Sequence, residues 1–140
     1  MEKYAFLEHT ADAKFQAFGK TLEEAFRNAA LATASLMWNW EKIEKKIKYR
    51  VKIKGRDCKQ LLCGFLEEII YLLDTKGFLL RAVENLKIDK RGDCYLLKAI
   101  FKGDNYSDRY EIYGDVKAIT YNEMMIENKG QFIIQVVVDI

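Results

Sequence analysis

The chain of 140 residues contains no proline, a single histidine, eight glycines and three cysteines, and its formal net charge is only +2. Each shortage removes a class of explanation. Without proline, and with no Gly/Ser-rich stretch, low-complexity tract or repeat, nothing marks a linker, so residues 1–140 are expected to fold as one domain. Cys58, Cys63 and Cys94 are odd in number and lack Cys-x-x-Cys or Cys/His spacing, which argues for reduced, buried thiols rather than a zinc site or a disulfide framework. The lone His9 has no Ser or Cys nucleophile set beside it by the sequence, so no hydrolase triad can be assembled. No glycine-rich phosphate loop or dinucleotide fingerprint is present. No apolar run reaches bilayer-spanning length and no basic-then-apolar leader opens the chain, so a soluble, cytoplasmic protein is expected. So small a charge excess gives bulk electrostatics no hold on a polyanion; a nucleic-acid surface would have to come from local arrangement.

What is present is 50% hydrophobic residues, enough for a substantial core, arranged in two periods. Lys14 to Gly19 alternates as a strand. Thr21-Leu22-Glu23-Glu24 has the form of a capping box, with Thr21 accepting from the Glu24 N–H and Glu24 reaching back to the Thr21 N–H. Leu22, Ala25, Phe26, Ala29, Ala32, Thr33 and Leu36 then follow at helical spacing to about Trp38. Ile47, Tyr49, Val51 and Ile53 alternate with Lys46, Lys48, Arg50, Lys52 and Lys54, which on a pleated strand sends the cations to one face. Asp57 to Gln60 repeats the capping pattern and opens a second, more apolar helix through Leu61, Leu62, Phe65, Leu66, Ile69, Ile70 and Leu73, with Gly77 as its stop.

Strands dominate the remainder: about Phe78 to Asp89, a turn near Lys90-Arg91-Gly92-Asp93, Cys94 to Lys102, Val116 to Tyr121, Glu123 to Glu127, and Gln131 to Ile140, the last two forming a hairpin through Asn128-Lys129-Gly130. The expected fold is α+β, two helices packed on a largely antiparallel curved sheet of roughly six strands. Trp38 and Trp40 read either as core or as an exposed aromatic contact.

The groups with chemical potential are few. The apolar run Phe132 to Val138 stops on Asp139, whose carboxylate neighbours the α-carboxylate of Ile140, and two such anions repel unless a positive partner intervenes. A lysine, Lys14 or Lys117, is one candidate partner and a cation is the other. Asp12, flanked by Ala11 and Ala13, reads locally as a turn or capping residue; were it to join the chain end, three hard oxygen groups would converge as they do in calcium and magnesium sites. His9 reads as a hydrogen-bonding group. The lysines of 46–54 serve either to protect a sheet edge or to track phosphates.

Leu7-Glu8-His9-Thr10-Ala11-Asp12-Ala13-Lys14-Phe15, Gly19-Lys20-Thr21-Leu22-Glu23-Glu24-Ala25-Phe26, Val116-Lys117-Ala118-Ile119-Thr120-Tyr121 and the terminal Val138-Asp139-Ile140, taken in that order, resemble the archease family essentially end to end. The resemblance implies a non-enzymatic accessory protein of RNA splicing and repair. Its partner would be the tRNA-splicing RNA ligase, which joins 2′,3′-cyclic phosphate or 3′-phosphate ends to 5′-hydroxyl ends. The accessory protein would promote guanylylation of the ligase's active-site histidine and repeated turnover, meeting RNA through the ligase. The resemblance further implies a divalent cation, Ca2+ or alternatively Mg2+, held at Asp12, Asp139 and Ile140; His9 and Lys117 are secondary candidates, as supports of that site. Where the family commonly has histidine this chain has Asn122, whose amide neither titrates nor ligates as an imidazole does. The alternative function is an RNA-binding module or chaperone acting through the Lys46 to Lys54 face.

Overall fold

A computed structural model describes residues 2–8 and 12–140. The elements run β1 (Tyr4–Leu7), β2 (Ala13–Gly19), α1 (Leu22–Ser35), β3 (Ile47–Gly55), α2 (Cys58–Lys76), β4 (Phe78–Arg91), β5 (Cys94–Asn105), β6 (Ala118–Asn128) and β7 (Phe132–Asp139), with a short 3-10 turn at Trp40–Lys42. Local chemistry starts and stops both helices. Thr21 Oγ1 accepts from the Glu24 N–H at 3.1 Å, and Asp57 from the Gln60 N–H at 2.8 Å. The return arm differs from the expected capping box by one residue. Glu24 accepts from the Lys20 N–H at 2.8 Å and Gln60 from the Arg56 N–H at 2.7 Å, so the donor satisfied is the one just outside each cap. Gly77, at φ 64°, closes α2 in the left-handed conformation that glycine adopts without a Cβ penalty.

The α+β class is observed, with the strands divided between two antiparallel sheets of order β1-β2-β7-β6 and β3-β5-β4. Helix α1 packs on β1, β2, β4 and β7, and α2 on β3, β4, β5 and β6, so the helices form a layer shared by both sheets. That position explains the composition of α1. Ala29, Ala30, Leu31, Ala32, Thr33 and Ala34 are buried in succession, because small side chains let neighbours approach on more than one side. Phe65 of α2 joins the layers, its ring lying 5.8 Å from Phe26 of α1 and 5.6 Å from Phe101 of β5.

Several sequence expectations change in the folded chain. The expected strands 116–121 and 123–127 merge from Ala118 onward into one strand, β6, interrupted by a bulge where the register with β7 shifts between Thr120 and Met125 and Glu123 takes φ 53°. Strand β1, only four residues long, has no alternation distinctive enough to predict. Of the three free thiols only Cys63 is buried; Cys58 is half-buried and Cys94, beside the β4–β5 turn, is exposed. Burial pushes the Cys63 and Cys58 thiols up from their ordinary value, away from the thiolate form that reacts. Trp38 is core, and Trp40 is half-buried with its Nε1 donating to the Tyr4 hydroxyl at 3.0 Å.

The segment between β5 and β6 is anchored by a polar knot. The Tyr110 hydroxyl donates to Asp104 Oδ2 at 2.7 Å, and Arg109 reaches both Glu44 at 2.9 Å and Asp104 at 3.3 Å. The Tyr110 hydrogen bond, more than any neighbouring charge, holds the Asp104 carboxyl below its ordinary value of 3.8. A carboxyl depressed in the folded state contributes stability that is present above its unfolded pKa and lost as pH falls through its folded pKa. Urea unfolding is therefore expected to show stability falling below about pH 4. Asp104→Asn should shed part of that acid slope; an unchanged slope would remove Asp104 as a contributor.

Candidate functional site at the sheet corner

Parity along β2 and β7 decides what the chain end presents. Ala13 opposes Val138, Phe15 opposes Val136 and Ala17 opposes Ile134, and Phe15, Ala17, Ile134, Val136 and Val138 all belong to the core. The residues between them, Lys14 opposite Val137 and Gln16 opposite Gln135, alternate to the other side of the sheet, where Gln16 Nε2 donates to Gln135 Oε1 at 3.0 Å and Val137 is nonetheless fully buried. The pairing ends at Ala13 and Val138, so Asp12 just precedes its end on one strand and Asp139 just follows it on the other.

The other flank of β7 fixes the chain end. Ala118 opposes Asp139, and the Lys117 N–H donates to the Asp139 carbonyl at 2.7 Å. Thr120 Oγ1 donates to the Val137 carbonyl at 2.7 Å. Lys117 thus supports the corner through its main chain, while its side chain is exposed. Asp139 and Ile140 are exposed and Asp12 is half-buried.

Lys14, a candidate partner for Asp139 on sequence grounds, has its Nζ 2.9 Å from Glu123 Oε1. Among the described residues no lysine or arginine side chain forms an ion pair with the Asp139 carboxylate. Glu123 was not singled out in the sequence. Its strand bulges there, and its partner is 109 residues away, so no local pattern signals the pair. His9 lies outside the described residues. Asn122 is exposed within the β6 bulge.

The corner is an open set of donors rather than a closed cage. Among the described residues no three His, Cys, Asp or Glu side chains gather to hold a metal ion. Two side-chain carboxylates and one α-carboxylate are hard oxygen groups suited to calcium or magnesium, with water or a partner's atoms completing the shell. Such exposed carboxylates concentrate negative charge in solvent where another molecule can meet it. The lysine face of β3 lies elsewhere, on the other sheet, with Lys48, Arg50, Lys52 and Lys54 exposed.

Two helices layered against two antiparallel sheets make this a small α+β domain. Residues 4–140 match the model of the Archease protein family. The chain is 38% identical to protein archease of Pyrococcus furiosus over 143 residues, covering all of both chains. It is 39% identical to protein archease of Pyrobaculum neutrophilum over 140 residues, with 98% of this chain and 95% of that one covered. The solution structure of Methanobacterium thermoautotrophicum protein 1598 superposes with a TM-score of 0.86 at 32% identity, over 100% of each chain. The chain belongs to the archease family. Membership carries an accessory role in RNA ligation rather than a catalytic one. No helix among the described residues is long and apolar enough to cross a membrane.

Proposed function

We propose that this chain activates the tRNA-splicing RNA ligase by promoting guanylylation of the ligase's active-site histidine, so that the ligase turns over repeatedly. Asp12, Asp139 and the Ile140 α-carboxylate form the working corner. The observation that supports this most is the β2–β7 pairing, which ends at Ala13 and Val138 and so has Asp12 and Asp139 as the next residue along each strand. Guanylylation brings a nucleotide triphosphate, with several negative charges, against an imidazole, and its barrier is one of positioning and electrostatics.

The donor set suits a divalent cation, calcium in the first place and magnesium as the alternative, held by Asp12, Asp139 and Ile140. When bound, such an ion supplies concentrated positive charge for phosphate oxygens. The chain's own residues supply the orientation. The Lys117 and Thr120 hydrogen bonds fix the last residues of β7, and Lys14 is engaged by Glu123. The carboxylates then enter the ligase site already placed.

A multiple-turnover ligation assay with the ligase of the same cell tests the reading. Adding this chain should convert ligation that stalls near one equivalent of product into sustained turnover, with a rise in guanylylated ligase. Equal product with and without the chain would end it.

A further inference from the structure

The outer face of the three-stranded sheet carries an arrangement that edge protection does not explain. β3 is an edge strand, and lysines there suffice to discourage pairing with another chain. The cations do not stop at the edge. Lys52 of β3 sits directly opposite Lys98 of the central strand β5, and Lys98 is directly opposite Lys87 of β4, so three lysines run in a row across the whole sheet. Lys48 likewise opposes Lys102. Like charges directly opposite on one face destabilise a sheet, and a central strand has no free edge to guard.

The only acidic groups among their opposed neighbours are Glu84 and Asp89. Glu84 is already engaged by Lys102 at 3.0 Å and Lys45 at 3.2 Å. Among the described residues Lys48, Arg50, Lys52, Lys87 and Lys98 have no ion-pair partner. The β4 bulge between Glu84 and Lys87, with Asn85 at φ 53°, borders a hollow of about 380 Å³ lined by Arg50, Lys52, Lys98, Ile100 and Asn85.

We propose that this face binds the phosphate backbone of RNA directly, without the ligase. Cations two residues apart on a strand repeat at about 6.6 Å, and rows on neighbouring strands lie about 4.8 Å apart, a grid that meets successive phosphates at several points. The chemistry favours RNA over an acidic protein. A protein interface is anchored by large apolar or aromatic side chains, and the apolar members of this face are the buried Leu96 and half-buried Ile100. No aromatic on these outward positions offers a stacking platform, so the face grips backbone rather than bases, and a base-paired stem is the preferred form. The face is independent of the acidic corner, which belongs to the other sheet; one molecule could hold RNA on one side and offer carboxylates on the other.

Lys98→Glu tests the assignment while protecting the fold, since it exchanges two like-charge oppositions, with Lys52 and Lys87, for two attractive ones. Fluorescence anisotropy of a labelled RNA hairpin in about 50 mM salt, with no ligase present, is the measurement. The wild-type chain should bind with an affinity that falls steeply with salt. Lys98→Glu should weaken binding at least tenfold while raising the thermal midpoint. Lys20→Glu/Lys129→Glu, a larger charge change away from this sheet, should weaken it no more than about twofold. The inference is overturned by absence of RNA binding at low salt, by equal losses in the two variants, or by capture of phosphatidylserine vesicles or an acidic polypeptide in preference to the hairpin. Because no ligase is present, a failure here leaves the activator reading standing, and a failure of that reading leaves this one.

Discussion

Asp139→Ala is expected to abolish stimulation of the ligase and leave the fold intact. The side chain is exposed at the last residue of β7, so its removal should change unfolding free energy by no more than about 0.5 kcal/mol. The strand end stays in place because its anchor, the Lys117 hydrogen bond, uses the Asp139 carbonyl and not its carboxylate. Stimulation is another matter. A group that arranges charge at a reacting phosphate is worth about 10²–10³ in rate, so turnover should fall to that of the ligase alone. Asp139→Asn separates charge from shape: it keeps the size and should fail equally. Full stimulation by either variant in multiple-turnover ligation would remove the acidic corner from the mechanism.

Trp38→Ala is expected to remove a large share of the folding margin. Trp38 is completely buried just past the end of α1, and its indole Nε1 donates to the Leu80 carbonyl at 2.9 Å. That carbonyl lies where β4 shifts register against β5 between Leu80 and Ala82. Truncation opens a large cavity, about 3–5 kcal/mol for such a residue, against a total stability for a domain of this kind of about 5–15 kcal/mol. Trp38→Phe keeps most of the volume and loses the donor, and should cost about 1–3 kcal/mol through the orphaned carbonyl. Urea denaturation of both variants distinguishes the contributions. A Phe variant as stable as wild type would deny the hydrogen bond its weight, and an Ala variant within about 1 kcal/mol of wild type would deny Trp38 its place in the core.

How much of this was legible in the sequence follows from the range of each interaction. The caps at Thr21 and Asp57 act over three residues and were readable, as was the parity of β3, whose cations do face outward. The length of α1 was overestimated because Leu36, Met37 and Trp38 continue an apolar pattern while the chain has already left the helix to bury the indole. The division into two sheets was not readable. Alternation says which residues face a core, and both sheets face the same helical layer.

The candidate site divides the same way. That β7 ends on an outward carboxylate is a matter of local alternation. That β2 is its neighbour is a pairing across most of the chain, and the Lys14–Glu123 contact spans 109 residues. The lysines of β4 and β5 were within reach, since Lys98 and Lys102 share a parity along their strand. Only the register shows that Lys98 stands between Lys52 and Lys87.

The central claim is that Asp12 and Asp139 act as one unit across the β2–β7 pair. A double-mutant cycle of Asp12→Asn and Asp139→Asn, read by calorimetric titration with Ca2+, measures that coupling. The account predicts that either single variant loses nearly all the affinity and that the double variant loses little more. Losses that simply add, or a calcium affinity untouched by either substitution, would contradict it.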